Sequence, residues 1–187
     1  MENVKLITLL LPLLLLFSCG TGDEEMDMNM ESDDATVSLD DISFVRGKFI
    51  ATGDEDFTIE GIVVGSFVNV SIEGKEYNVN SVTISSSAAG DSRAIRLSFY
   101  IPVSLDQTIP PNGTFEIDAP SAALDETFVD VFLVGDNDTY NSFSTTTGTV
   151  IVSGSSVANN MFDVVFNIQN LTSFDDLSAD ATGALKF

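Results

Sequence analysis

The sequence predicts an all-β fold: an antiparallel β-sandwich or open barrel of about nine to ten strands, preceded by a signal peptide and a disordered tether. Three observations predict it. Apolar and polar residues alternate at period two through most of residues 42–187. Clusters of Gly, Pro, Asn and Asp interrupt the alternation about every 8–12 residues. No window holds a good amphipathic helix, and the nearest candidate, Ser121–Glu126, is too short to be stable alone.

The chain starts with a short basic segment, Met1 to Lys5, followed by Leu6–Phe17, which is apolar apart from Thr8 and Pro12. A secretory apolar region runs about 7–15 residues, whereas a membrane-spanning helix needs about 20. The run is therefore long enough to enter a translocon and too short to remain as a span. It ends in Leu16-Phe17-Ser18-Cys19-Gly20, and Cys19 is the single cysteine. A lone thiol forms no internal disulfide. Leu16, Ser18 and Cys19 resemble the lipobox of bacterial lipoproteins. That resemblance implies cleavage before Cys19 (signal peptide 1–18) and a diacylglycerol on its sulfur. Each buried CH₂ of an acyl chain contributes about 0.8 kcal/mol, and several chains make the anchor effectively permanent.

Residues 19–41 follow as lipidated cysteine and tether. Asp23, Glu24, Glu25, Asp27, Glu31, Asp33, Asp34, Asp40 and Asp41 carry the charge, with no basic residue among them. Such composition buries too little apolar surface to offset ordering entropy, and like charges keep it extended. Asp23-Glu24-Glu25 resembles the acidic export signal of surface-exposed lipoproteins in Bacteroidota; a plain solvated spacer is the other reading.

The strands follow in order over a single domain, 42–187. The first reads as Ile42–Ile50, and the polar loop Thr52 to Asp56 closes it. Phe57–Val64 and Phe67–Glu73 come next, the latter with Val68, Val70 and Ile72 on one side. Glu73-Gly74-Lys75-Glu76 reads as a hairpin tip, leading into Val79–Ser85. In Arg93–Ile101, Ile95, Leu97, Phe99 and Ile101 share a face. Pro110-Pro111 then sets φ twice before Asn112-Gly113, a pair that tolerates φ > 0. Gly113–Asp118, Thr127–Val134, Gly148–Ser153, Met161–Ile168 and Ala181–Phe187 complete the series. β-branched residues and Phe dominate, as a half-buried pleated surface prefers. Phe44, Phe49, Phe57, Phe67, Phe99, Phe115, Phe128, Phe132, Phe162 and Phe166 all fall in these strands and read as core. Phe143 and Phe174 fall in polar loops, where they are candidate partner anchors.

Turn and strand signatures in this domain resemble a small family of uncharacterised Bacteroidota outer-membrane lipoproteins. Ile72-Glu73-Gly74-Lys75-Glu76-Tyr77, Gly113-Thr114-Phe115, Gly148-Thr149-Val150 and Gly183-Ala184-Leu185-Lys186-Phe187 carry the likeness, over roughly residues 67–187. The strands at 42–64 fall outside that pattern. The resemblance implies fold and envelope location and brings no catalytic residues with it.

Composition narrows the chemistry. The formal charge is −22, which repels phosphate backbones and excludes nucleic-acid binding as an expectation. There is no His, which removes Ser-His-Asp and Cys-His catalysis and most zinc sites. Carboxylates are plentiful enough for a glycan hydrolase, but the chain has no Trp for sugar stacking, only Tyr77, Tyr100 and Tyr140. Asp136-Asn137-Asp138 and Asp54-Glu55-Asp56 are candidate structural Ca²⁺ clusters. Neither has EF-hand spacing, and capped polar turns are the competing reading.

The expectation is therefore a lipid-anchored envelope protein in the outer membrane, facing the cell exterior. It is a binder or structural partner rather than an enzyme, held to the membrane through Cys19 and meeting a protein or glycan ligand. The alternatives are a periplasm-facing accessory lipoprotein of an assembly or uptake complex, a carboxylate-dependent glycan hydrolase, and a fimbrial subunit.

Overall fold

The computed structural model describes residues 37–54, 56–117, 124–134, 147–172, 176 and 178–187. Within them the chain is all β apart from two single-turn 3₁₀ segments, Leu39–Asp41 and Val103–Leu105. The strands are β1 (Arg46–Gly53), β2 (Phe57–Ile72), β3 (Lys75–Ser86), β4 (Ala94–Pro102), β5 (Gly113–Glu116), β6 (Phe128–Val134), β7 (Thr147–Ser156), β8 (Met161–Thr172) and β9 (Ser178–Lys186). Among the described residues, no helix is long and apolar enough to cross a membrane. The lipobox with Cys19, the acidic triplet Asp23, Glu24 and Glu25, the cluster Asp136, Asn137 and Asp138, and Phe143 and Phe174 lie outside the described residues.

All nine strands belong to one sheet, in the order β5-β7-β8-β9-β1-β2-β3-β4-β6, and every ladder is antiparallel. The sheet curls into a nearly closed barrel, and its two edges meet through a bridge between Ile117 and Val129. The period-two pattern puts one face of each strand inside. Phe49, Ile59, Leu97, Phe99, Val131, Val152, Phe166 and Leu185 fill that interior, each at most 2% exposed. Burying one such side chain contributes about 1.5–3 kcal/mol. Phe49 stacks on Phe166 with centroids 5.9 Å apart. Opposite that stack, Gly183 lets the Phe166 ring lie flat on the β9 backbone, where a Cβ would fall inside the ring.

The β4–β5 connection crosses one end of the barrel. Asn78 and Asn80, on the inner face of β3, donate through Nδ2 to the carbonyls of Gln107 (2.7 Å) and Thr108 (3.3 Å). Ile109, 3% exposed, plugs the interior there. Asn112 and Gly113 do not use the positive φ their sequence permits. Instead Asn112 Oδ1 accepts from the Ser155 amide at 2.9 Å and Ser155 Oγ donates to the Pro110 carbonyl at 2.7 Å.

Three expectations about elements change. Ile42–Phe44 is not strand: Ser38 Oγ caps the 3₁₀ turn from Asp40 N, and Val45 has φ +58°, so the chain bends before β1. Ile42 instead packs with Val37 on Ala184, on the outer face of β9. Phe44 and Phe67, expected in the core, are 59% and 48% exposed. The two runs 57–64 and 67–73 form one strand, because the β2–β3 ladder continues through Gly65 and Ser66 to the Glu73-Gly74 tip. At that tip both residues have positive φ, 50° and 84°, as a two-residue hairpin needs.

Candidate functional site

The described residues form nine strands, an odd number, and this shapes the site. In a ring of antiparallel neighbours, strand direction alternates, so an odd count leaves one pair running the same way. That pair is β5 and β6. The Ile117–Val129 bridge is parallel, and it is isolated. Below it the two walls part around a cavity of about 550 Å³. Thr114, Phe115 and Glu116 form one wall, and Leu124 to Phe128 the other.

Each wall is braced away from its opposite. The β5 wall is held to β7 by its ladder and by the Asn112 and Pro110 bonds to Ser155. The other wall is held to the outer face of β3. Tyr77 donates its hydroxyl proton to the Leu124 carbonyl at 2.7 Å, and Lys75 Nζ reaches Asp125 Oδ1 at 2.7 Å. Tyr77 is fully buried and packs edge-on against Phe128, with centroids 5.6 Å apart. Together with Val79 they form a small second core outside the barrel, flanked by Val70, Ile72, Tyr100 and Leu124.

Backbone polarity at the seam follows from the ladder. The Ile117 amide donates to the Gly148 carbonyl at 3.4 Å, so Ile117 and Gly148 form a hydrogen-bonded pair. Alternation then turns Phe115 toward β7 and leaves the N–H and C=O of Thr114 and the N–H of Glu116 pointing into the seam. Thr127 Oγ1, on the opposite wall, is enclosed and makes no hydrogen bond. The side chains add Glu116, Asp125 and Glu126. Among the described residues no three acidic groups converge as they would around a metal ion. The Asp125 hydrogen bond, opposed by the cost of burial, holds the Lys75 ammonium above its ordinary pKa.

A second polar feature lies on the outer face of β3, β4 and β6. Ser81, Ser98 and Asp130 stand in register across it. Ser81 Oγ donates to Ser98 Oγ at 2.9 Å, and Asp130 is 7% exposed. Burial pushes the Asp130 carboxyl above its usual range, against the pull of Arg96 and of the Val131 backbone. The Tyr100–Phe128 stack, with centroids at 4.7 Å, lies on one side of Asp130. On the other, the Arg96 guanidinium sits 5.2 Å over Phe132.

Of the residues singled out from sequence, Asp54 and Asp56 are described. Asp54 Oδ2 accepts from the Ser178 amide at 2.8 Å, and Asp56 Oδ1 accepts from the Gly53 amide at 3.0 Å. Asp56 thus caps its own turn, whereas Asp54 ties the β1–β2 loop to the start of β9. Of the tyrosines considered for sugar stacking, Tyr77 and Tyr100 are both in the second core. The pattern missed an apolar stripe on the outer face of β2, where Ile62, Val64 and Val68 are 55%, 59% and 51% exposed. Their alternation reads as core because period two tells the two faces of a strand apart without saying which one is inside.

Comparison of the chain with protein-family models, with curated proteins and with solved structures returns no match.

Proposed function

We propose that this chain is a lipid-anchored cell-envelope protein that displays its β-barrel at the outer surface and binds there rather than catalyses. The observation that carries the binding role is the β5–β6 seam, whose braced walls flank a cavity. The lipobox ending in Cys19 and the triplet Asp23, Glu24 and Glu25 support the anchor and the orientation. The lack of any His and the lack of Trp support binding over hydrolysis.

Protease accessibility on intact cells tests the orientation. The wild type is digested, and a variant with Asp23, Glu24 and Glu25 all changed to Ala is protected. Protection of both puts the domain on the periplasmic side and overturns surface display. Palmitate labelling tests the anchor: it is present in the wild type and lost in Cys19→Ala. Labelling that persists in the variant overturns it.

A further inference from the structure

We propose that the β5–β6 seam takes one extended polypeptide segment of a partner protein, running antiparallel to both walls and carrying basic side chains. The inference rests on the binding role proposed above and narrows the ligand to a polypeptide.

The parity of the sheet supports it first. The nine strands of the described residues close through a same-direction contact, and one further strand between β5 and β6 would make every neighbouring pair antiparallel. The bracing supports it second. Tyr77 and Lys75 hold one wall and Ser155 the other, so the gap is not closed by the two walls pairing along their length. Third, by the alternation above Thr114 turns its N–H and C=O, and Glu116 its N–H, into the seam at strand spacing, the pattern that strand addition reads. A small compact ligand would leave that row unused.

Charge selects the occupant. Glu116 on one wall and Glu126 on the other line the gap beside the Lys75–Asp125 ion pair, in a chain of formal charge −22. Residues 23–34 of the chain itself are acidic and are repelled from these walls. The C-terminal residue is occupied elsewhere, since Phe187 exchanges both backbone hydrogen bonds with Phe162 at 2.9 and 3.0 Å. A segment of another protein that bears Lys or Arg on the side that meets Glu116 matches this charge.

The test uses the protein as produced, in mild detergent, and a fluorescent octapeptide of sequence Lys-Val-Thr-Val-Lys-Val-Thr-Val with blocked ends. Anisotropy shows saturable binding of this peptide. A peptide with Glu at both Lys positions binds at least about tenfold more weakly, as does one N-methylated at every amide, which keeps the charge but can donate to no ladder. Bound peptide slows amide exchange at Thr114 and Glu116. Glu116→Lys reverses the preference between the Lys and Glu peptides, and Thr114→Pro removes one seam-facing donor while leaving the Phe115 ladder bonds intact. No saturable binding, or equal binding of the N-methylated peptide, overturns strand addition. Either result leaves the orientation measured by proteolysis unchanged, so the two proposals fail separately.

Discussion

Ile117 and Val129 join the two edges of the sheet through one parallel bridge, in a barrel whose every ladder is antiparallel. Val129 is fully buried, and Ile117 packs partly buried against the same core. The seam is thus closed by apolar packing where its backbone pairing is thinnest. Amide exchange should report that asymmetry. The amides of β9, flanked by the ladders to β1 and β8, are expected to exchange at least about 100-fold more slowly than those of Thr114 and Glu116. Equal protection at both places would show that the seam is paired in solution.

Tyr77→Phe removes the hydroxyl that bonds the Leu124 carbonyl and keeps the ring against Phe128. The expected loss is about 1 kcal/mol, read by urea denaturation, with faster exchange confined to residues 124–128. A loss shared evenly by the whole barrel would mean that Tyr77 supports the core rather than the seam wall.

Gly183→Ala forces a Cβ into the Phe166 ring, inside the packed barrel. Overpacking of this kind costs about 1–3 kcal/mol. Gly74→Ala, where nothing lies within 4 Å and φ is 84°, carries only backbone strain, on the order of 1 kcal/mol. Thermal melting of the two variants should rank them in that order.

Asp130 gives a pH dependence of unusual sign. Its folded-state pKa lies above the ordinary value of 3.8, chiefly through burial. The folded state therefore holds the proton at pH values where the unfolded chain has released it. Stability from this group is present at low pH and is lost as pH rises from about 4 through the folded pKa. Arg96, the facing cation, limits the loss. Asp130→Asn should gain on the wild type as pH rises to about 7 and lose that advantage on acidification. Denaturation curves of both proteins across this range check it. A difference that does not vary with pH would mean the carboxyl titrates normally.

The fold class was legible because alternation is local. Ile95, Leu97, Phe99 and Ile101 declare a strand with one buried face whatever lies beside it, and Glu73-Gly74 declares a two-residue turn. The candidate site was legible only in part. Thr114 and Glu116 read as ordinary strand positions, Leu124 to Glu126 as the end of a short helix candidate, and Thr127 as the start of a strand. Tyr77 reads as one of three tyrosines available for sugar stacking, yet it is fully buried, because the wall from Leu124 to Phe128 lies over it. Phe44 errs the other way: the bend at Val45 carries it out of the strand its pattern suggests.

By itself, the sequence determined that the domain is built of β-strands, where most of its turns fall, and that the chain is acidic and without histidine. These follow from side-chain chemistry and from spacings of a few residues. Only the tertiary structure decided which strands are neighbours. It set the terminal strand β9 in the middle of the sheet, between β8 and β1, and made β5 and β6 the edges. Ladder bonds join backbone groups that every residue except proline carries in full, so alternation in one strand does not specify its partner. Strand number and closure are properties of the whole ring, and from them come the parallel contact at Ile117 and Val129 and the opening beside it.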